Sequence, residues 1–541
     1  MTYTEVTFGD EARNKVLAGA KALADTLRGT LGPKSRAVLL GRKWGTPLVC
    51  DDGVTIAREV KLRDPLENMG AQMLRQAAVR TGDAVGDGTT TATLLAYAIF
   101  SEGVRNVVAG ASAVELKRGF DAGARAAADA LRALAQPVKT RAEKAQVATV
   151  SAHGDRSIGA LVAEALERVG ADGVVSIEEA KGMETTLDVV EGMRFPQGYL
   201  SPYFVTDAAK MEAVIENPLV LLYERRVANM ASLVPLLEAI TREGGSLLVV
   251  AEDVEGDALA TLVINKLHGA LPCVAVKAPG FGDRRKAMLR DIAIVTGAEV
   301  VSEETGTKLE AVRMGQLGRA RRVVVDREAT TIIGGGGDKT AIGARCDELR
   351  RAIDASKSDY DKEQLRERLA KLAGGVAVIR AGAPTEAEMK NRKDAFEDAI
   401  SATQAAMAEG IVAGGGVALL RASAAVEKLA AAELQGDRAT ALRVLARAME
   451  VPLRQIASNA QIDPGVVIER VRAGDGPFGF DASTATYGDL ALLGIVDPVK
   501  VVRVALENAV SVAGVLLLSD AALTEVEEPS REPHAPPVLQ A

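Results

Sequence analysis

Gly86, Asp87, Gly88, Thr89, Thr90 and Thr91 stand in a row directly ahead of an apolar run, residues 92–100, of helical character. Where a helix begins, its first backbone N–H groups have no partner inside the helix and its dipole ends positive, so glycines and hydroxyls at that point make an anion seat. Asp87 adds a hard oxygen ligand, better matched to Mg²⁺ shared with phosphates than to a bare phosphate. An ordinary capped helix start accounts for the six residues equally well, and the rest of the chain must decide. Cys50, Cys273 and Cys346 are odd in number and far apart, and His153, His268 and His534 are equally scattered. They support no disulfide framework, no Cys- or His-based metal site and no Ser-His-Asp triad. Any catalysis therefore runs on carboxylates. A P-loop ATPase would need Gly-Lys-Ser/Thr at the seat, and that motif does not occur there.

The elements that must position these residues fall into two textures. A chain of 541 residues exceeds what one core supports, so roughly two to four domains are expected. An apolar fraction of 48% with 3% aromatics points to cores of Ala, Val, Leu and Ile. The 65 basic and 73 acidic residues leave a net charge of −8, which argues against nucleic acid as the main partner. The N-terminus has no basic stretch followed by an apolar run, and no apolar span of 18 residues is read later, so a soluble cytoplasmic protein is expected. Helical spacing marks 11–29, 69–79, 90–100 and 113–134, the last with Leu116, Phe120, Ala124, Ala127 and Leu131 on one face and Ser112 as N-cap. Between them, 37–40 and 47–50 are strand-like, followed by Asp51-Asp52-Gly53, a turn signature of the kind that ends a hairpin. After residue 142 short strands at 174–177, 186–190, 219–222, 246–251, 273–277 and 293–295 alternate with helices, an α/β texture that ends after the charged helix 359–372. Residues 391–409 are helical, with Phe396, Ala399, Ile400, Thr403 and Met407 on one face and Asp398 roughly opposite. From Val417 onward the Ala- and Leu-rich helices return. Like ends and an unlike middle predict a discontinuous helical domain carrying inserted domains, joined at Pro137 and Gly410, and the Pro- and Glu-rich tail from about residue 521 reads as disordered.

Eight stretches, taken together, resemble a group I chaperonin of the bacterial GroEL type: TLGPK at 30–34, DDGVTIARE at 51–59, ENMGAQM at 67–73, GDGTTTATLLA at 86–96, AEDVEGDALATLV at 251–263, KAPGFGDRRKAML at 277–289, SDYDKEQLRERLAKLAGGVAVI at 358–379 and EGIVAGGGVALLRA at 409–422. The resemblance implies an α+β multidomain chaperonin fold. Its parts would be a mostly helical discontinuous equatorial domain (1–136 and 411–541), a small intermediate domain (137–191 and 375–410) and an α/β apical domain (192–374), with hinges at Pro137, Gly192, Gly375 and Gly410. It implies an ATPase in which Thr30, Leu31, Gly32 and Pro33 pass the phosphates, Gly86 to Thr91 cradle them and Asp87 holds Mg²⁺. Gly415 touches the ribose, and Asp481, Ala482, Ser483, Ile495 and Asp497 hold base and sugar. Asp52 and Asp398 orient and activate the attacking water, and Thr30 and Thr90 mark a K⁺ site. Tyr199, Ser201, Tyr203, Phe204, Val234, Leu237, Leu259, Val263 and Ile264 match the surface that binds unfolded chains and a small lid cochaperonin. Helical spacing alone assigns Val234 with Leu237, and Leu259 with Val263, to a core. The implied assembly is a homo-oligomer of two stacked seven-membered rings.

Several residues depart from the family pattern. Asp51 stands in place of Lys beside the K⁺ position and so bears on K⁺ dependence. Ser35 replaces Gly, Asp481 replaces Asn, and Ala395 removes an Arg that pairs with the carboxylate matched by Asp155. The C-terminal Gly-Gly-Met repeat is replaced by an acidic, proline-containing tail. The departures leave an alternative, a specialised paralogue acting as a ring-shaped scaffold with altered or uncoupled ATPase.

Overall fold

The structure, a computed structural model, describes residues 2–41, 47–152, 154–170, 173–180, 182–208, 210–302, 308–356, 358–433 and 436–527. Its contacts group the chain into two compact units, Met1–Ala163 with Asp394–Ala541, and Glu164–Lys393.

The first unit is built around the helix Val499–Leu518, whose Val502, Ala505, Leu506, Ala509, Val510, Ala513 and Leu517 are buried against the helices Pro65–Val85, Thr89–Val108 and Ala113–Leu134. This helix corrects the sequence reading that no apolar span of membrane length occurs, since Val499–Leu518 is long and apolar enough by length and composition alone. A wide apolar face suits packing against three helices at once, while Lys500, Arg503, Glu507 and the exposed Val515 and Leu518 mark its remaining side. Ser112 caps Ala113–Leu134 as expected, accepting from Glu115 N–H, and Leu116, Phe120, Ala127 and Leu131 are fully buried. The strand-like runs pair as Val38–Leu40 with Leu48–Cys50. Asp51-Asp52-Gly53 does not turn that hairpin. Asp52 is instead the N-cap of the helix Gly53–Glu59, because its carboxylate reaches the Val54 and Thr55 N–H groups.

The tail expectation also needs correcting. Residues Ala521–Glu527 form a strand paired antiparallel with Thr2–Phe8, Ala521 opposite Phe8 and Glu527 opposite Thr2. Burial alternates along it, with Ala522 and Thr524 covered and Leu523 exposed, and pairing satisfies the backbone groups that a coil would leave to water. The rest of the expected disordered tail, 528–541, lies outside the described residues.

The second unit carries an eight-stranded sheet among the described residues. Cys273–Lys277, Leu247–Val254 and Leu219–Val227 run parallel, and Gly318–Val325, Thr330–Gly335 and Gly192–Phe195 continue the sheet antiparallel. The parallel strands are near-continuous apolar runs, as expected when both faces are covered. Residues 293–295, expected as a strand, instead close the helix Gly282–Thr296. Three apolar residues do not carry a period, and Gly297, at φ +73°, ends the helix just after them. A separate three-stranded sheet sets Val376–Ala381 between Val174–Glu179 and Thr186–Val190.

Candidate functional site

The seat forms where three loops converge on the start of the helix Thr89–Val108. Gly86 closes the preceding helix with φ +72°, Gly88 takes φ +77° as N-cap, and no side chain caps the new helix, so its first-turn N–H groups are left for a ligand. Asp52, Asp64, Ser112 and Asp463 do cap their helices, so the neighbouring helix Gly53–Glu59 has its first N–H groups satisfied where Thr89–Val108 does not. Gly53 brings the Asp52 loop against it: a Cβ there would lie 2.6 Å from Thr89 Oγ1 and 2.7 Å from Thr90 Oγ1. From the other side Thr30 Oγ1 lies 3.2 Å from Thr90 Oγ1, and Asn459 holds the loop by donating to the Arg28 and Leu31 carbonyls. Gly32 and Pro33 follow on that loop, with Pro33 exposed.

Three carboxylates face this start. Asp87 accepts from Gly88 N–H and from Ser151 Oγ. Asp52 accepts from Val54 N–H at 3.3 Å and Thr55 N–H at 2.8 Å. Asp398 comes from the helix Glu386–Glu409, half-buried and with no hydrogen-bond partner among the described residues. Burial first, then the negative charges of Asp87 and Asp52, and then Asp394 and Glu397, raise its carboxyl well above the ordinary range. Asp497 belongs to the same field. Burial and then Asp87 push its carboxyl up to about 7, and a Cβ on Gly414 would lie 3.1 Å from its Oδ1. Among the described residues no three His, Cys, Asp or Glu are arranged to hold a metal by themselves. That donor set fits a cation whose remaining ligands come from phosphate oxygens.

The glycine loop continues to the other end of the site. Gly415 packs within 3.8 Å of the Phe480 carbonyl, measured from a built Cβ, and Gly414 packs against Ile495. Asp481, at the end of the strand Phe478–Asp481, spends its oxygens on the following turn: Oδ1 accepts from Ser483 N–H and Oγ, and Oδ2 from Thr484 Oγ1. Burial acts to raise its carboxyl, but those donors prevail and hold it below the usual range. An ionised Asp481 can only accept, where an Asn could also donate. Ala482 is buried beside it. Asp51 is exposed.

Sequence reasoning missed Ser151 and Ser401. Ser151 ends an unremarkable helix and carried no signal. Ser401 did, since it stands three residues after Asp398 and so shares its helix face.

In the second unit the expected apolar surface divides. Tyr203, Val234 and Ile264 are exposed, and Tyr199, Ser201, Leu259 and Val263 are partly covered. Phe204 and Leu237 are core residues at 0% and 6% exposure, which corrects their assignment to the surface. Leu237 faces inward with Leu236 and Ile240 on the helix Val234–Arg242, and Phe204 is drawn in by the turn that Ser201 caps.

A helical unit with a carboxylate-lined anion seat, interrupted in sequence by an α/β unit that bears exposed apolar side chains, is the organisation of a chaperonin subunit. The sequence profile of the TCP-1/cpn60 chaperonin family matches residues 23–526. Over 532 residues the chain is 62% identical to Chaperonin GroEL 5 of Bradyrhizobium diazoefficiens, covering 98% of this chain and 98% of that relative. The chain belongs to the TCP-1/cpn60 chaperonin family and, within it, to the group I, GroEL type. Its function is that of a protein-folding chaperonin, and identity of this extent does not favour the scaffold alternative.

Proposed function

We propose that this chaperonin binds and hydrolyses ATP at the carboxylate-lined seat. The cycle would drive capture of non-native protein and its enclosure in a ring closed by a small lid cochaperonin. The reading is carried by the helix of Asp398, which packs on Gly86 through Ser401, close enough for the charges of Asp87 and Asp52 to act on Asp398, beside a helix start that no side chain caps. The N–H groups of Thr89, Thr90 and Thr91 and the loop Thr30, Leu31, Gly32 and Pro33 hold phosphates, with Gly86 and Gly88 shaping the turn. Gly415, Asp481, Ala482, Ser483, Ile495 and Asp497 line the sugar and base. Asp87 would hold Mg²⁺, which supplies charge neutralisation on phosphate oxygens. Asp52, fixed by its two cap bonds, orients the attacking water, and Asp398, which has no hydrogen-bond partner among the described residues, accepts its proton. Thr30 and Thr90, with their hydroxyls adjacent, are the place for K⁺, and the exposed Asp51 sits in the same loop as Asp52.

Capture of clients falls to Tyr199, Ser201, Tyr203, Val234, Leu259, Val263 and Ile264, by burial of apolar surface that does not depend on client sequence. The three-part division stated above and its pivots belong to the same reading. Gln136 and Ile411 exchange both backbone hydrogen bonds next to Pro137 and Gly410, and Val190 pairs with Val376 next to Gly192 and Gly375. Pairs of single-strand crossings of this kind are suited to hinges.

The test is Asp398→Ala in the assembled protein. Turnover is expected to fall by about 100-fold, within the range of general-base loss, with ATP affinity little changed. Undiminished turnover would remove the assigned base.

A further inference from the structure

The helix Glu386–Glu409 meets the turn that shapes the seat at Gly86. Gly86 lies at φ +72°, and a Cβ built on it would fall 2.3 Å from Ser401 Cβ and 2.6 Å from Ser401 Oγ. The side chain of residue 401 thus occupies the space that any side chain at 86 would need. Ser401 follows Asp398 by three residues, so the two share a face about 4.5 Å apart along the axis. One turn further on, Ala405 packs with Val85 and Val501 in a small apolar cluster. Ala402 and Ala406 are also buried, so the docked side of this helix carries no large side chain near the seat.

We infer that Ser401 is a positioning residue: its small side chain, resting on Gly86, is the stop that sets how closely Asp398 approaches the phosphate seat. The inference rests on the reading of Asp398 as the base. A larger side chain at 401 meets backbone at Gly86, which cannot yield as a flexible side chain would, and the helix must stand off. A displacement of about 1 Å at a reacting group costs on the order of 100-fold in rate, while the phosphate N–H groups, which belong to another helix, keep their geometry.

The experiment compares Ser401→Ala, Ser401→Cys, Ser401→Thr, Ser401→Leu, Asp398→Ala and the double variant Ser401→Leu/Asp398→Ala in the full-length assembly, reading single-turnover ATP hydrolysis and nucleotide affinity. The Ala and Cys variants are expected within about threefold of the parent, Thr about tenfold slower and Leu about 100-fold slower, with affinity held within about threefold throughout. The double variant should be no slower than Asp398→Ala, because a base that is absent cannot be misplaced. Should the Leu variant fail to assemble, the Thr variant carries the same comparison. Parent-like turnover in the Thr and Leu variants, or losses that multiply with Asp398→Ala, overturns the inference. Unchanged turnover in Asp398→Ala alone instead removes the base assignment beneath it.

Discussion

Ser151 Oγ donates to Asp87 Oδ2 across 3.2 Å, while the Gly88 N–H donates to the other oxygen of the same carboxylate. Asp87 is therefore oriented from two elements, its own turn and the end of the helix Arg141–Ser151. A carboxylate that is to hold a cation in one direction needs such outer partners, and their loss commonly costs 10–100-fold, as an order of magnitude, in metal affinity or activity. Ser151→Ala is expected to raise the Mg²⁺ concentration at half-maximal turnover by about tenfold, with the fold intact. A Mg²⁺ titration that superimposes on the parent's would show that the bond does not orient Asp87.

Asp497 predicts a pH dependence of the ligand-free protein. Its carboxyl, pushed up to about 7 by burial and Asp87, lies above the 3.8 of an unperturbed aspartate. Between those values the folded state keeps a proton that the unfolded chain has released, so stability is greatest below about 4 from this group and declines as pH rises to about 7. Asp398 adds to the same trend. Asp497→Asn is neutral at all pH and should flatten the decline. Unfolding midpoints measured from pH 5 to pH 8 without nucleotide check this, and parallel curves for parent and variant would contradict it.

Division of the apical-type surface gives a sharper contrast. Val234 is 39% exposed and Leu237 6%, three residues apart on one helix. Val234→Glu or Ile264→Glu puts a charge at an exposed apolar position, and is expected to abolish capture of a denatured test protein while thermal stability and ATP turnover stay near the parent's. Leu237→Glu buries an unpaired carboxylate and should unfold its unit instead, a loss of several kcal/mol by order of magnitude. Equal capture by Val234→Glu and the parent would remove this surface as the client site.

The seat was legible because backbone chemistry at a helix start is written locally, in Gly86 to Thr91. The long helices were legible from their period, and Ser112 from its place ahead of one. What misled were residues whose role is set by a partner distant in sequence. Helical spacing does not say whether Leu237 or Val234 faces the core, and the family resemblance puts both outside. Residues 521–527 read as coil because their strand exists only through Thr2–Phe8. The span Val499–Leu518 is interrupted by Lys500, Arg503 and Glu507 on one side, and only packing against three other helices shows that its apolar face is core. Ser151 meets Asp87 across 64 residues, a distance that no local pattern carries.

The second unit contains a buried ion triad whose removal should be costly. Asp291, 2% exposed in its side chain, accepts from Arg345 Nε at 3.0 Å and from Arg368 through Nε at 2.6 Å and Nη2 at 2.9 Å. These bonds tie the helix Gly282–Thr296 to Lys339–Ala355 and Asp359–Ala373, with both guanidinium groups largely covered. Asp291→Ala removes the carboxylate that Arg368 donates to and leaves Arg345 only Glu348, 2.7 Å from its Nη1, a loss of about 3 kcal/mol. Amide exchange in the full chain should then accelerate through 339–373 while the first unit keeps its protection. The triad need not be the most stable filling of that space, since a buried ion pair offsets its desolvation only in part. Asp291→Leu combined with Arg345→Met and Arg368→Met is therefore expected to recover most of the loss. Recovery in the triple variant with slow exchange restored would assign the cost to unpaired charge, and an equal loss in both variants would assign it to packing.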